Sequence, residues 1–149
     1  MKSFHQILTE KTNFVTYHNV EKKVADGIRA TGFKLQKKIT RARLYGNGVY
    51  FTDKPNTRWG PVSIKVELRP KNPLLDPSGD ISYEGNELGD KIEAIGKSLM
   101  KDFSMSNSKQ RAVAIEKYLN DNKIDMLQTD EMGKMIYVVR NPKIIKIVI

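Results

Sequence analysis

Between Pro61 and Leu68 the apolar residues Val62, Ile64, Val66 and Leu68 alternate with Ser63, Lys65 and Glu67. A period of two cannot be satisfied by a helix, so this stretch commits part of the chain to a half-buried β-strand that needs strand neighbours. Other segments supply them. Phe14-Val15-Thr16-Tyr17-His18 and Val49-Tyr50-Phe51-Thr52 are rich in β-branched and aromatic residues, and Ile124 to Gln128, Lys134 to Val139 and Lys143 to Ile149 form a closing β block. Asp130 to Gly133 and Asn141-Pro142 provide its turns, while Pro70, Pro73 and Pro77 close off the alternating strand.

Helical spacing occurs in three places: Val20 to Ala30, with Val20, Val24 and Ile28; Tyr83 to Phe103, with Leu88, Ile92, Ile95 and Leu99; and Ser108 to Leu119, with Ala112, Ile115 and Leu119. The resulting order is strand, helix, several strands, two helices and three closing strands. This is not the strict alternation of a doubly wound parallel sheet, so the predicted class is α+β. A length of 149 residues predicts one domain, and a hydrophobic fraction of 39% is enough to give it a core.

The chain has no cysteine, which excludes disulfides, a thiolate nucleophile and sulfur-ligated zinc, and fits a cytoplasmic setting. Met1 to Glu10 lacks the apolar core of a signal peptide, and no apolar run is long enough to span a membrane. The expectation is an intracellular protein without a membrane partner, monomeric by default. Lysine and arginine number 26 against 17 acids, a formal charge of +9, which favours acidic partners. The excess is densest from Lys34 to Arg43, a segment without a single acid.

The sharpest local signal is Tyr45-Gly46-Asn47-Gly48-Val49-Tyr50-Phe51-Thr52-Asp53, a glycine-flexed loop that delivers a tyrosine on an apolar strand. Alone it is weak, because glycine before a strand usually serves turn geometry. It gains weight from Tyr17-His18-Asn19-Val20 on the first strand, and from Lys65-Val66-Glu67-Leu68 and Tyr137-Val138-Val139-Arg140-Asn141-Pro142 further on. In this order the motifs resemble the ADP-ribosyltransferases of the poly(ADP-ribose) polymerase type, including small phage and bacterial versions, over nearly the whole chain from Phe14 to Ile149. No Gly-rich Rossmann fingerprint competes with that reading.

The resemblance implies a fold of central split antiparallel β-sheets with flanking helices. It also implies mono-ADP-ribosyl transfer from NAD+ as co-substrate, without a metal, to a macromolecular acceptor, protein or nucleic acid. His18 would bond the adenine-side ribose, Tyr50 would stack on the nicotinamide, and the backbone at Asn19 would grip the carboxamide where relatives have glycine. Tyr17, Gly48, Phe51 and Thr52 would complete the cofactor lining. Arg41 and Arg43 would meet the pyrophosphate, and Trp59 would form a second aromatic wall or simply pack in the core, with Thr57 or Arg58 reaching the carboxamide.

The third motif position, a glutamate in polymerising relatives, falls on Ile136. That departure resembles the mono-transferases, and Glu131 on the preceding turn is a substitute acid. A catalytically silent NAD+ or ADP-ribose module and a basic nucleic-acid-binding domain remain the competing readings.

Overall fold

The computed structural model describes residues 13–35, 45–75, 87–131 and 133–148, with only the main chain of Glu131. The fold is mixed α+β. Its strands are β1 (Phe14–Val20), β2 (Val49–Thr52), β3 (Val62–Leu68), β4 (Pro73–Leu75), β5 (Met126–Glu131), β6 (Lys134–Val139) and β7 (Ile145–Ile147). Its helices are α1 (Lys22–Thr31), α2 (Glu87–Leu99) and α3 (Ser108–Asp121), with single 3-10 turns at Thr57–Trp59 and Pro142–Ile144. All seven strands join one sheet in the order β4-β5-β6-β2-β1-β3-β7. Every pairing is antiparallel except β4 with β5.

Both faces of the sheet are covered, and the pleat decides what goes where. Val49 and Phe51 on β2, Ile64, Val66 and Leu68 on β3, and Val139 on β6 turn to one face, where Ala25 of α1 closes over them. Ile136 and Val138 on β6 and Leu127 on β5 turn to the other, under Ile92 of α2 and Ile115 and Leu119 of α3. Burying a side chain such as Phe51, which is wholly inaccessible, contributes about 2 kcal/mol. The segment that follows α2 folds back onto it at Gly96, which has no side chain: a Cβ there would stand 2.2 Å from the Phe103 ring.

The sequence places β2 and β6 at their observed bounds, and Gly32 ends α1 with φ at 81° and its N–H donating to the Ile28 carbonyl. Elsewhere the tertiary structure shifts the elements. β1 runs on to Val20 because Val62 holds it in register, so α1 starts later and turns Ala25 and Ile28 inward, leaving Val24 at 50% exposure. The closing strands are also displaced, β5 running past Gln128 to Glu131 and β7 starting only after the turn at Pro142–Ile144.

β4 has no counterpart in the sequence expectations, since Pro73 at its start speaks for a loop. It is pinned from outside the strand: the Asp125 carboxylate accepts the main-chain N–H groups of Lys71 at 2.7 Å and Asn72 at 3.1 Å, aligning the segment beside β5.

Gly48 sits where the start of β2 crosses β6. A Cβ on it would lie 2.6 Å from Val138 Cγ1 and 2.8 Å from the Val139 carbonyl oxygen. Gly48→Ala is therefore expected to cost about 1–3 kcal/mol through backbone displacement, read as a lower urea midpoint at unchanged slope. An unaltered midpoint would show that β2 can shift freely there.

Candidate functional site

The two motif strands β1 and β2 lie side by side at the centre of the sheet, yet their described register consists of one pair, Tyr17↔Thr52. Beyond it a side chain spans the seam: His18 Nδ1 stands 2.7 Å from the Tyr50 carbonyl oxygen. A carbonyl only accepts, so this bond puts a proton on Nδ1 and fixes the orientation of the ring. The imidazole is held further by Phe33, edge-on with centroids 5.2 Å apart, and by Phe51 at 5.4 Å. Phe33 and Phe51 are themselves 5.3 Å apart, completing an aromatic triangle.

Tyr50 faces the other way. Successive residues of a strand point to opposite faces, so Phe51 goes to the His18 side, and the half-buried Tyr50 ring packs against the core beneath α2 and α3. Its hydroxyl donates to the Gly46 carbonyl at 2.7 Å and accepts from the Tyr45 N–H at 3.0 Å, cross-bracing the glycine loop. The expectation of one pocket lined jointly by the two rings is thus corrected: what unites His18 and Tyr50 is the main chain of Tyr50, and the rings diverge from it.

The other expected residues separate into structural and surface positions. Phe51 is core, and Gly48 serves the β2–β6 crossing. Thr52 is 3% exposed and its hydroxyl donates to the Lys54 carbonyl at 2.6 Å; with Asp53, Lys54, Pro55, Asn56, Gly133 and Lys134 it lines a cavity of about 290 Å³. Tyr17 is half-buried on the Thr52 side of the sheet.

Asn19 takes no left-handed conformation; among the described non-glycine residues only Lys123 has positive φ, 54°. Its buried side chain instead clamps the following loop, Nδ2 donating to the Gly60 carbonyl at 3.1 Å and Oδ1 accepting the Asn56 N–H at 2.9 Å. Trp59 sits at the end of the 3-10 turn inside that clamp and is 43% exposed, so it does not pack in the core.

Ile136 is 2% exposed in the core under α2 and α3, paired with Thr52 on one side and Thr129 on the other. Glu131 is the last residue of β5, paired with Lys134, rather than part of a turn. Arg41 and Arg43 lie outside the described residues. Among the described residues no helix is long and apolar enough to cross a membrane.

One polar centre has no forerunner in the sequence expectations. Arg140, at the end of β6, grips Glu116 of α3 with both guanidinium arms at 2.7 Å, in a pair whose side chains are 9% and 20% exposed. Arg140 also donates to the Asn47 carbonyl at 2.9 Å and to Asn120 Oδ1, and Glu116 accepts the Asn47 N–H at 2.6 Å. The glycine loop is therefore fastened to α3 as well as to Tyr50. Arg140 is visible in the sequence as part of the Tyr137–Pro142 motif, but nothing in the pattern of α3 marks Glu116 as its partner. Burial pushes the Glu116 carboxyl up; the hydrogen bonds from Arg140, Asn47 and Asn120 and the Arg140 charge outweigh it, and the group rests below the usual glutamate value.

No family model matches this chain, and no curated protein does. Among solved structures, one described as the crystal structure of an anti-CRISPR protein is similar over 93% of this chain and 98% of its own, with 8% sequence identity and a TM-score of 0.46.

Glu116→Gln should lower stability by about 2 kcal/mol at neutral pH, measured by urea unfolding. Because the folded carboxyl is depressed, its stabilisation is present above the ordinary glutamate range and is lost as pH falls through that range toward the lower folded value. The gap between variant and parent should narrow over that interval; a gap constant with pH would show that the charge contributes nothing.

Proposed function

We propose that the protein is an NAD+-dependent mono-ADP-ribosyltransferase. The observation that carries this reading is the seam itself: the two strands bearing the motif residues adjoin, share one register pair, and are bridged beyond it by the His18 imidazole on the Tyr50 main chain. The motif resemblance gives this histidine the role of bonding a sugar hydroxyl, and the Tyr50 carbonyl sets the orientation of its ring.

Tyr50 fits the group less simply. Its hydroxyl is committed to the glycine loop, and its ring packs into the core beneath α2 and α3, on the opposite face of the sheet from the His18 ring. The bond to be broken, between nicotinamide and ribose, develops oxocarbenium-like charge that the site must stabilise. On this reading His18 orients the sugar, Tyr50 holds the glycine loop and β2 in place from the other face, and the acceptor or Glu131 supplies the carboxylate that Ile136 lacks.

A second reading is favoured by one observation. Ile136 is sealed in the core, so its position on β6 offers no polar group, as in a silent NAD+ or ADP-ribose module.

Incubation with labelled NAD+ and cell lysate separates the two. Labelled macromolecule is expected from the parent protein, and His18→Ala should reduce it by about a hundredfold. Tyr50→Phe, which keeps the core-packed ring and loses the loop brace, should cost about 1 kcal/mol of stability and retain labelling. Measurable NAD+ binding with no label in any fraction would select the silent module, and labelling indifferent to His18 would remove it from the site.

A further inference from the structure

Tryptophan occurs once in this chain, and the fold spends it on the surface. Trp59 is the one aromatic among the large hydrophobic side chains that stand exposed in the described residues. The loop that presents it is rigidly built. Asn19 clamps both its ends, at Asn56 and Gly60; Asn56 Oδ1 caps the turn by accepting the Arg58 N–H at 3.2 Å; and the Trp59 N–H donates to the Asn56 carbonyl at 3.1 Å. Gly60 lies so close to β1 that a Cβ would stand 2.4 Å from the Val20 main chain. An exposed indole on an over-determined loop is pre-organised for stacking, since little further ordering is needed when a flat partner arrives.

Three cations stand nearby. Lys54 and Lys134 line the adjoining cavity of about 290 Å³ with Asp53, and Arg58 precedes Trp59. None of the three has an ion pair among the described residues, although Asp53 shares the lining and Asp130 and Glu131 sit on the hairpin that carries Lys134. Stacking aromatic, unpaired cations and a small cavity together match bases strung on a phosphate backbone.

We propose that the Asp53–Gly60 loop is a docking surface for single-stranded nucleic acid, with a base stacked on Trp59, phosphates met by Lys54, Arg58 and Lys134, and a neighbouring base at the mouth of the cavity. An acidic peptide would satisfy the cations but not the indole. As the identity of the acceptor this inference rests on the transferase reading; as a binding surface it does not.

Because Trp59 is the sole tryptophan, its emission reports the contact directly. Titration with a short oligothymidylate at low salt should quench it. Trp59→Ala, at an exposed position and checked by circular dichroism, should weaken binding of a dye-labelled oligothymidylate by about tenfold. Lys54→Ala and Arg58→Ala should each weaken it and reduce the salt slope by roughly one. Unchanged Trp59 emission at saturating oligonucleotide, an unaltered affinity in Trp59→Ala, or equal competition by polyglutamate would overturn the proposal. Labelling from NAD+ is followed in parallel samples: oligonucleotide binding without label leaves the surface and removes the transferase reading, and label without any Trp59 response does the reverse.

Discussion

The position of the central strand β2 depends on the ion pair between Arg140 and Glu116. A guanidinium at the end of β6 and a carboxylate from α3 meet with little solvent between them, and the loop from Tyr45 to Gly48 threads through their hydrogen bonds. Taking two charges out of water is costly, and only the bidentate geometry and the added main-chain donors and acceptors offset it. The loop they hold is the one that feeds β2 into the middle of the sheet. Tyr50 reaches back to the same loop with its hydroxyl, so strand and loop are fixed by each other as well as by the helix.

From that strand the two halves of the interior are distributed. Val49 and Phe51 go under α1, Tyr50 goes under α2 and α3, and the pleat permits no exchange between them. This alternation explains why neighbours in the motif have different fates. Tyr50 and Phe51 are adjacent in sequence and separated by the thickness of a sheet, and His18 meets the ring of the second and the carbonyl of the first. A motif read as a row of residues becomes, once folded, a seam with contributions to both sides.

Much of the architecture was legible. The alternation at Val62–Leu68 and the apolar run at Lys134–Val139 fixed two strands, and helical spacing located α2 and α3, because each pattern has a period that only one backbone geometry satisfies. What escaped depends on partners distant in the chain. β4 exists through Asp125, more than fifty positions away in sequence, and Val24 is exposed because β1 keeps pairing as far as Val20. At the site, the residue types at positions 18, 19 and 50 were conspicuous, but not their bonding. Asn19 could be seen to stand where the transferases that its motifs resemble have glycine; that its amide would clamp a loop around Trp59 required knowing that Asn56 and Gly60 come to lie beside it.

The single rung between β1 and β2 has a mechanical consequence. A sheet resists sliding in proportion to the main-chain bonds that lace each pair of strands, and here the contacts between the strip β4-β5-β6-β2 and the strip β1-β3-β7 include one register pair, the Thr52 hydroxyl on the Tyr17 carbonyl, the His18 imidazole and packed rings. The β1–β3 boundary, by contrast, is laced along its full seven residues. The line where His18 and Tyr50 meet therefore carries less main-chain lacing against sliding than the β1–β3 boundary beside it.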